Sequence, residues 1–245
     1  MRRYRADLHM HTVLSPCGSL DMSPEAILKG AAAKELDIIA ITDHNHTAQC
    51  ECVRELAENY GITVLSGAEV TTREEAHCVV LFGDNETLTD FQSLLNRTIK
   101  KITNKPELFG HQVIVDKNEM IVEEVEHLLI AATSLSVSEL EKEIHRRNGL
   151  FIPAHVNRES NSLISQLGFV PADINADALE ISKHTDKETF LQQHPELSEF
   201  TFIQCSDAHY PEDIGAVSTL FEIEKPSFDE IRKALKGVDG RRVIL

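Results

Sequence analysis

The stretch Asp7-Leu8-His9-Met10-His11 decides the reading of this chain, together with Ser206-Asp207-Ala208-His209 near its other end. Each places metal-type ligands two positions apart. Alternate side chains of an extended strand point the same way, so His9 and His11 converge on one point, and so do Asp207 and His209. More His and Glu residues lie between them, at the ends of apolar runs. The pattern is that of a multinuclear metal site assembled from most of the chain, and such sites suit hydrolysis.

Short apolar runs alternate with amphipathic helical stretches, the βαβα order of a parallel sheet or barrel. The first run ends at His9. Ser23-Pro24-Glu25 then supplies an N-cap, a proline at the first helical position and an early acid. Residues 37–42 read as a strand ending at Asp43-His44, 62–68 as one ending at Glu69, and 77–82 as one opened by His77. A helix is expected between about Thr47 and Gly61. Further on, Ser136–Glu139 and Ser227–Glu230 read as capping boxes. Residues 150–154 form a strand ending at His155, and 178–181 one followed by Lys183 and His184. The run 200–205 leads into Asp207, and 217–223 is the last strand. The segment from about 87 to 135 is too long for one crossover. It reads as an insertion, either covering the site or standing off as an appendage, with strand-like alternation around an acidic turn at 112–122. The expectation is a single α/β barrel domain over 1–245.

Composition narrows the function. The 245 residues carry a net charge of -16, with Asp+Glu 40 against Lys+Arg 24, no Trp and 3 Tyr. So acidic a chain is a poor holder of duplex phosphates or an anionic membrane, and its few aromatics give no evident stacking platform, so a long nucleic acid is not the expected partner. A phosphorylated substrate would need the field reversed locally, which two or three divalent cations can do. The cysteines, Cys17, Cys50, Cys52, Cys78 and Cys205, are odd in number and form no C-x-x-C pair, against a disulfide framework or a structural zinc site. The basic N-terminus has no apolar run behind it, and no run is long enough for a bilayer. A soluble, reduced, cytoplasmic protein is expected, without a membrane partner.

The candidate ligands are His9, His11, His44, Glu69, His155, Asp207 and His209, with His77 joining them if residues 69–77 fold back as a hairpin. Strand C-termini are where barrel active sites sit. Imidazole and carboxylate together suit zinc, manganese or iron. Glu69, with two oxygens, is the natural bridge. Asp7 is expected to orient a ligating His. Arg158 could clamp a phosphate, and Lys183 and His184 are candidates for substrate contact. His46 either reaches the site or caps the next helix. His111, His127, His145 and His194 read as surface residues.

The segments Asp7–Thr12, Ile41–His44, Gly67–Glu69, His77–Gly83, Pro153–His155 and Ser206–His209 together resemble the motifs of the PHP superfamily (polymerase and histidinol phosphatase), nearly end to end. The resemblance implies a distorted (βα)7 TIM-like barrel, up to three metals and phosphoester hydrolysis. It implies a first metal on His9, His11 and Asp207, Glu69 bridging to a second on His77 and His155, and a third on His44 and His209. The family's usual loop Asp is missing from Ser15–Asp21. Asp21 is the expected replacement, with Cys17 as a softer option.

The expected activity is metal-dependent hydrolysis of a small phosphomonoester or nucleotide by a metal-activated hydroxide. The third metal or Arg158 would bind the phosphoryl oxygens, and a metal-bound water or Asp43 would donate the proton, unless Asp43 simply orients neighbouring ligands. Histidinol phosphate is an alternative substrate. An amidohydrolase-type hydrolase and a non-catalytic metal-binding barrel are the rival readings.

Overall fold

The computed structural model describes residues 1–245. Its strands are β1 (Arg2–Asp7), β2 (Ile38–Ile41), β3 (Thr63–Thr71), β4 (His77–Phe82), β5 (Val113–Val115), β6 (Ile121–Glu124), β7 (Leu150–Pro153), β8 (Leu179–Ile181), β9 (Phe202–Gln204), β10 (Thr219–Ile223) and β11 (Arg242–Ile244). The helices are α1 (Pro24–Ala33), α2 (Gln49–Ala57), α3 (Asn85–Thr98), α4 (Pro106–Phe109), α5 (Val137–Arg146), α6 (Leu163–Leu167), α7 (Lys187–Gln193) and α8 (Phe228–Leu235). No helix is long and apolar enough to cross a membrane.

Seven strands form one curled sheet in the order β11-β10-β1-β2-β3-β4-β7. β8 and β9 pair separately in parallel. Backbone bonds tie this pair between the sheet's two arms. Val156 N donates to Glu180 O at 2.8 Å and Asp177 N to Phe151 O at 2.9 Å, beside β7. Asp207 N donates to His9 O at 3.0 Å and His11 N to Ala208 O at 2.9 Å, beside β1. The result is a mixed α/β fold with a curled half-barrel sheet. Regular βα alternation is not kept. β3 and β4 form an antiparallel hairpin with no helix between them, and β10 runs antiparallel to β1.

The sheet's two faces follow from the period of two. Ile38 and Ala40 of β2, Leu65 of β3, and Val79 and Leu81 of β4 pack together on the inner face. Ile39, Ile41, Val64, Cys78, Val80 and Phe82 pack on the other face with Ile27, Leu28 and Val53 of the helices. Glu69 and His77 have the inner-face parity, so the alternation that buries Leu65 and Val79 also aims these two ligands inward. Gly67 is required here, because a Cβ at this position would lie 1.9 Å from Val80 O across the hairpin.

Two features depart from the sequence reading. The segment 87–135 is not one insertion. Residues 85–98 form α3, whose Leu88, Phe91 and Leu95 belong to the main core. The rest of the segment follows, with the β5–β6 hairpin in the expected place. It is no free appendage. Val113 and Val115 pack on Val13, and Ile99, Val125 and Leu129 pack on Leu14, within the loop after His11. Asn45, at φ 49°, donates to Leu129 O at 2.7 Å and Ala131 O at 3.1 Å, fixing the insertion beside His44.

The second correction concerns Ser227–Glu230. Ser227 caps α8 by accepting from Glu230 N, but the Glu230 carboxylate does not return the bond. It accepts instead from Glu224 N at 2.9 Å and from Arg241 at 3.1 and 3.2 Å. The Arg241 bonds hold the carboxyl down at about 2, against an ordinary 4.5. A lowered folded-state pKa means stability that is present above about 4.5 and lost as pH falls through about 2. Glu230→Gln is therefore expected to lower the melting temperature by a few degrees at pH 7. In thermal melts the difference from wild type should shrink below pH ~4.5 and vanish near pH ~2.

Candidate metal centre and substrate cleft

Glu69 stands at the centre of the site. It is 1% exposed and surrounded by imidazoles. Its Oε1 lies 2.9 Å from His77 Nδ1, 3.0 Å from His155 Nε2 and 3.3 Å from His9 Nε2. Its Oε2 lies 3.1 Å from His44 Nδ1 and 3.4 Å from His11 Nε2. Asp207 Oδ1 is 3.4 Å from both His9 Nε2 and His11 Nε2, which are 3.3 Å from each other. The rings of His11 and His209 stack at 4.1 Å.

These spacings fit a cation. Donors in a tetrahedral shell of about 2.0–2.2 Å radius sit roughly 3.3–3.6 Å apart, the separation seen among His9, His11, Glu69 and Asp207. Asp207 Oδ1, His44 Nδ1 and His155 Nδ1 are buried without any hydrogen-bond partner. An orphaned carboxylate oxygen is costly to bury, and a cation held with His9, His11 and Glu69 at Asp207 Oδ1 would relieve that cost. Three overlapping groups could each hold an ion: His9, His11, Glu69 and Asp207; His44, Glu69 and His77; and His11, His44 and His209.

The remaining bonds of the imidazoles show how the chain aims them. His9 Nδ1 meets Glu180 Oε2 at 2.9 Å. His11 Nδ1 meets Ser15 Oγ at 2.9 Å, and His209 Nδ1 donates to Asp207 O at 2.9 Å. In each case Nε2 is left for the cluster. Asp207 and His155 sit at φ 52° and 32°, left-handed backbone that non-glycine residues adopt mainly where the surroundings enforce it. Burial would raise the Glu69 carboxyl, but His77, His9 and His44 outweigh it and hold it well below the usual range. Burial likewise disfavours a charged His9, yet Glu180, Glu69 and Asp207 hold its pKa well above normal. Burial drives His44 well below normal and takes His209 down to about 4.

Asp21 is not brought to this cluster. It is exposed and accepts a bond from Ser19 Oγ, because the loop turns it outward. Cys17, from the same loop, lines the cleft instead. Asp43 does not face the cleft. Its carboxylate accepts from Thr12 N at 2.7 Å, Thr12 Oγ1 at 2.8 Å and Ser15 Oγ at 2.7 Å. It fastens the loop that carries His11 and lines no part of the cleft. Asp7 touches no ligand side chain either. It accepts from Ser206 N at 2.9 Å and Gly215 N at 3.1 Å, tying down the loop of Asp207 and His209. The orienting acid is Glu180, which the sequence reading missed. Its signal was a carboxylate inside the apolar run Ala178-Leu-Glu-Ile181. His46 accepts from Ala48 N at the start of α2.

The cleft has two lobes. One, of about 270 Å³, is lined by His44, Glu69, His77, His155 and Ile130 of the insertion. The other, of about 350 Å³, is lined by Ser182, Lys183, His184, Ser206, Tyr210 and Asp213. Cys17, Arg158, Asp207 and His209 belong to both. Arg158 Nη1 donates to Asp207 Oδ2 at 2.7 Å, and Lys183 Nζ to Asp213 Oδ1 at 2.5 Å.

Residues 7–209 match the PHP domain family, and residues 199–237 match the PHP-associated family. The protein YqxK of Bacillus subtilis (strain 168) is 26% identical over 280 residues, covering 100% of this chain and 65% of YqxK. A phosphoribosyl 1,2-cyclic phosphate 1,2-diphosphodiesterase of Eggerthella lenta is 38% identical over 65 residues, 26% of this chain and 24% of that protein. Among solved structures, the lesion-specific endonuclease PfuEndoQ from Pyrococcus furiosus superposes with a TM-score of 0.78 at 22% identity, over 100% of this chain and 58% of that one. Endonuclease Q in complex with a 27-mer duplex bearing an abasic lesion gives 0.72 at 20% identity, over 98% and 58%. The chain thus spans 65% or less of the length of each of these relatives, and the structural likeness at such identity establishes the fold.

Two substitutions test this geometry. Glu180→Gln is expected to leave the fold intact and to weaken metal affinity about 10- to 100-fold, read by metal titration, as the loss of an orienting partner does elsewhere. Asp21→Asn is expected to leave metal stoichiometry as it is in wild type. With its match running from the first of these motifs to the last, the chain belongs to the PHP domain family.

Proposed function

We propose that the two-lobed cleft hydrolyses a small phosphomonoester or nucleotide, with zinc, manganese or iron held by His9, His11, His44, Glu69, His77, His155, Asp207 and His209. The observation that carries this reading is the shared wall. Asp207 and His209 face the candidate metal positions on one side and the lobe of Lys183 and His184 on the other. A phosphoryl group at Arg158 would therefore lie against both. Divalent ions bound here supply water with a pKa lowered to roughly 7 and positive charge for the phosphoryl oxygens.

The protein's own groups do the rest. Glu180 and Ser15 hold the tautomers of His9 and His11. Asp43 fixes the loop that carries His11. Arg158, anchored on Asp207 by one nitrogen, keeps other donors for phosphate oxygens. Lys183 and His184 line the lobe for the remainder of the substrate. In this reading β1, β2, β3, β4, β7, β8 and β9 are the seven staves of a distorted (βα)7 barrel, and all eight ligands come from its upper rim. An amidohydrolase-type reading is weaker, because the bridging position is held by Glu69 and not by a lysine.

A second reading, cleavage of a phosphodiester in nucleic acid, is favoured by the likeness to endonuclease Q over the whole chain. Net acidity does not exclude it, since divalent ions held by the cluster would reverse the field locally. One assay separates the two readings. Phosphate release from phosphomonoesters and nucleotides, and nicking of plain and lesion-bearing duplexes, are measured with manganese, zinc or iron added in turn. Phosphate release without nicking is expected. Nicking without release would replace the first reading by the second, and neither activity would overturn both. Glu69→Gln is expected to cost roughly a thousandfold or more in kcat, because it removes the central charge of the cluster.

A further inference from the structure

The second lobe holds an aromatic ring that no role above accounts for. Tyr210 follows His209 directly and lines the lobe, yet it is 49% exposed. The large aromatics Phe91, Phe151, Phe202 and Phe221 are fully buried in the core. Tyr210 is also held in place. Asp213 N donates to Tyr210 O at 3.0 Å, Pro211 opens the short turn between them, and Gly215 N donates to the buried Asp7 carboxylate. The ring therefore stands on a turn anchored to the same acid that ties down the Asp207 loop.

Asp213, at the other end of this turn, lines the same lobe. One of its oxygens takes Lys183 Nζ, and the other remains for a second donor. A half-exposed ring beside a carboxylate with a spare oxygen, next to an arginine at a candidate phosphoryl position, matches a nucleoside phosphate part by part. The ring meets the base. The carboxylate accepts from sugar hydroxyls, as acidic residues do in dinucleotide sites. Arg158 meets the phosphate. At about 350 Å³ the lobe falls in the range of small-ligand clefts.

We propose that Tyr210 and Asp213 form a recognition site for the nucleoside part of the substrate, with Tyr210 as the stacking platform. The proposal rests on the phosphoesterase reading of the cleft and names its substrate class. The nucleoside could come from a free nucleotide or from the end of an oligonucleotide, and the test carries one arm for each.

The experiment compares a nucleoside monophosphate with glycerol phosphate, which has the same phosphomonoester but no ring. Both are measured with wild type, Tyr210→Ala, Tyr210→Phe and Asp213→Asn. In Tyr210→Ala the preference for the nucleotide, as a ratio of kcat/KM values, is expected to fall roughly tenfold or more, through KM, as loss of base stacking does elsewhere. Tyr210→Phe is expected to keep the preference, and Asp213→Asn to reduce discrimination between ribo- and 2′-deoxyribonucleotides. A short oligonucleotide ending in the same phosphorylated nucleotide identifies the source: a higher kcat/KM than for the free nucleotide points to a strand end, a lower one to the free nucleotide. A nucleotide preference unaltered in Tyr210→Ala, or an equal loss on both substrates, would overturn the proposal. If wild type hydrolyses neither, the phosphoesterase reading fails by itself. Calorimetric binding of the nucleoside monophosphate then decides the inference: binding weakened in Tyr210→Ala and kept in Tyr210→Phe supports it, and binding that is absent or indifferent to Tyr210 refutes it.

Discussion

A carboxylate buried on the inner face of a curled sheet has to be compensated, and the site is organised around that need. Glu69 has imidazole nitrogens from five histidines within 3.4 Å. These histidines come from the loop after β1, the loop after β2, the start of β4 and the end of β7. No local segment could supply them. The strands must therefore curl for their ends to meet, and the β3–β4 hairpin must close tightly enough for His77 to return beside Glu69. Gly67 serves that closure. A substitution there would push β4 outward and carry His77 with it.

Around this centre lies a layer of fastening acids, each with a separate task. Glu180 fixes one imidazole, Asp43 fixes the loop of another, and Asp7 fixes the loop of Asp207 and His209. Burial raises the carboxyls of Asp7 and Asp43, Asp7 to about 6. Burying such groups is unfavourable unless their bonds are made. Here backbone N–H groups and hydroxyls make them, so geometry at the cluster is bound to the loops that could otherwise shift. The insertion adds a wall on the side of His44 through Asn45 and Ile130.

The candidate ligands were legible in the sequence as H-x-H and D-x-H spacings just after apolar runs, and the hairpin needed to bring His77 beside Glu69 formed as expected. Strand alternation is not what makes the two motifs converge, because both lie in the loops after β1 and β9 and Asp207 sits at φ 52°. What escaped was set by tertiary contact. Asp21 has the right chemistry, but its loop turns outward while Cys17 lines the cleft. Asp43 sits next to a candidate ligand, yet its oxygens are taken by Thr12 and Ser15 from another loop. Glu180 lies far from His9 in sequence, and only the placement of β8 beside β7 brings them together. α3 has an ordinary amphipathic pattern, and its docking on the main core is a long-range fact that the pattern does not carry. A count of three tyrosines likewise does not reveal that one of them, Tyr210, lines the cleft.

The charge of the cleft links substrate binding to its cations. Both basic side chains of the second lobe are already paired, Arg158 with Asp207 and Lys183 with Asp213. A phosphate entering such a lobe meets dipoles and neutral pairs in a chain of net charge -16, so side chains alone give little attraction. Asp207 stands between the two groups: its Oδ2 takes Arg158 and its Oδ1 faces His9 and His11. Residues His9, His11, Glu69 and Asp207 would hold a cation there, which would supply the positive charge that the paired side chains of the lobe do not.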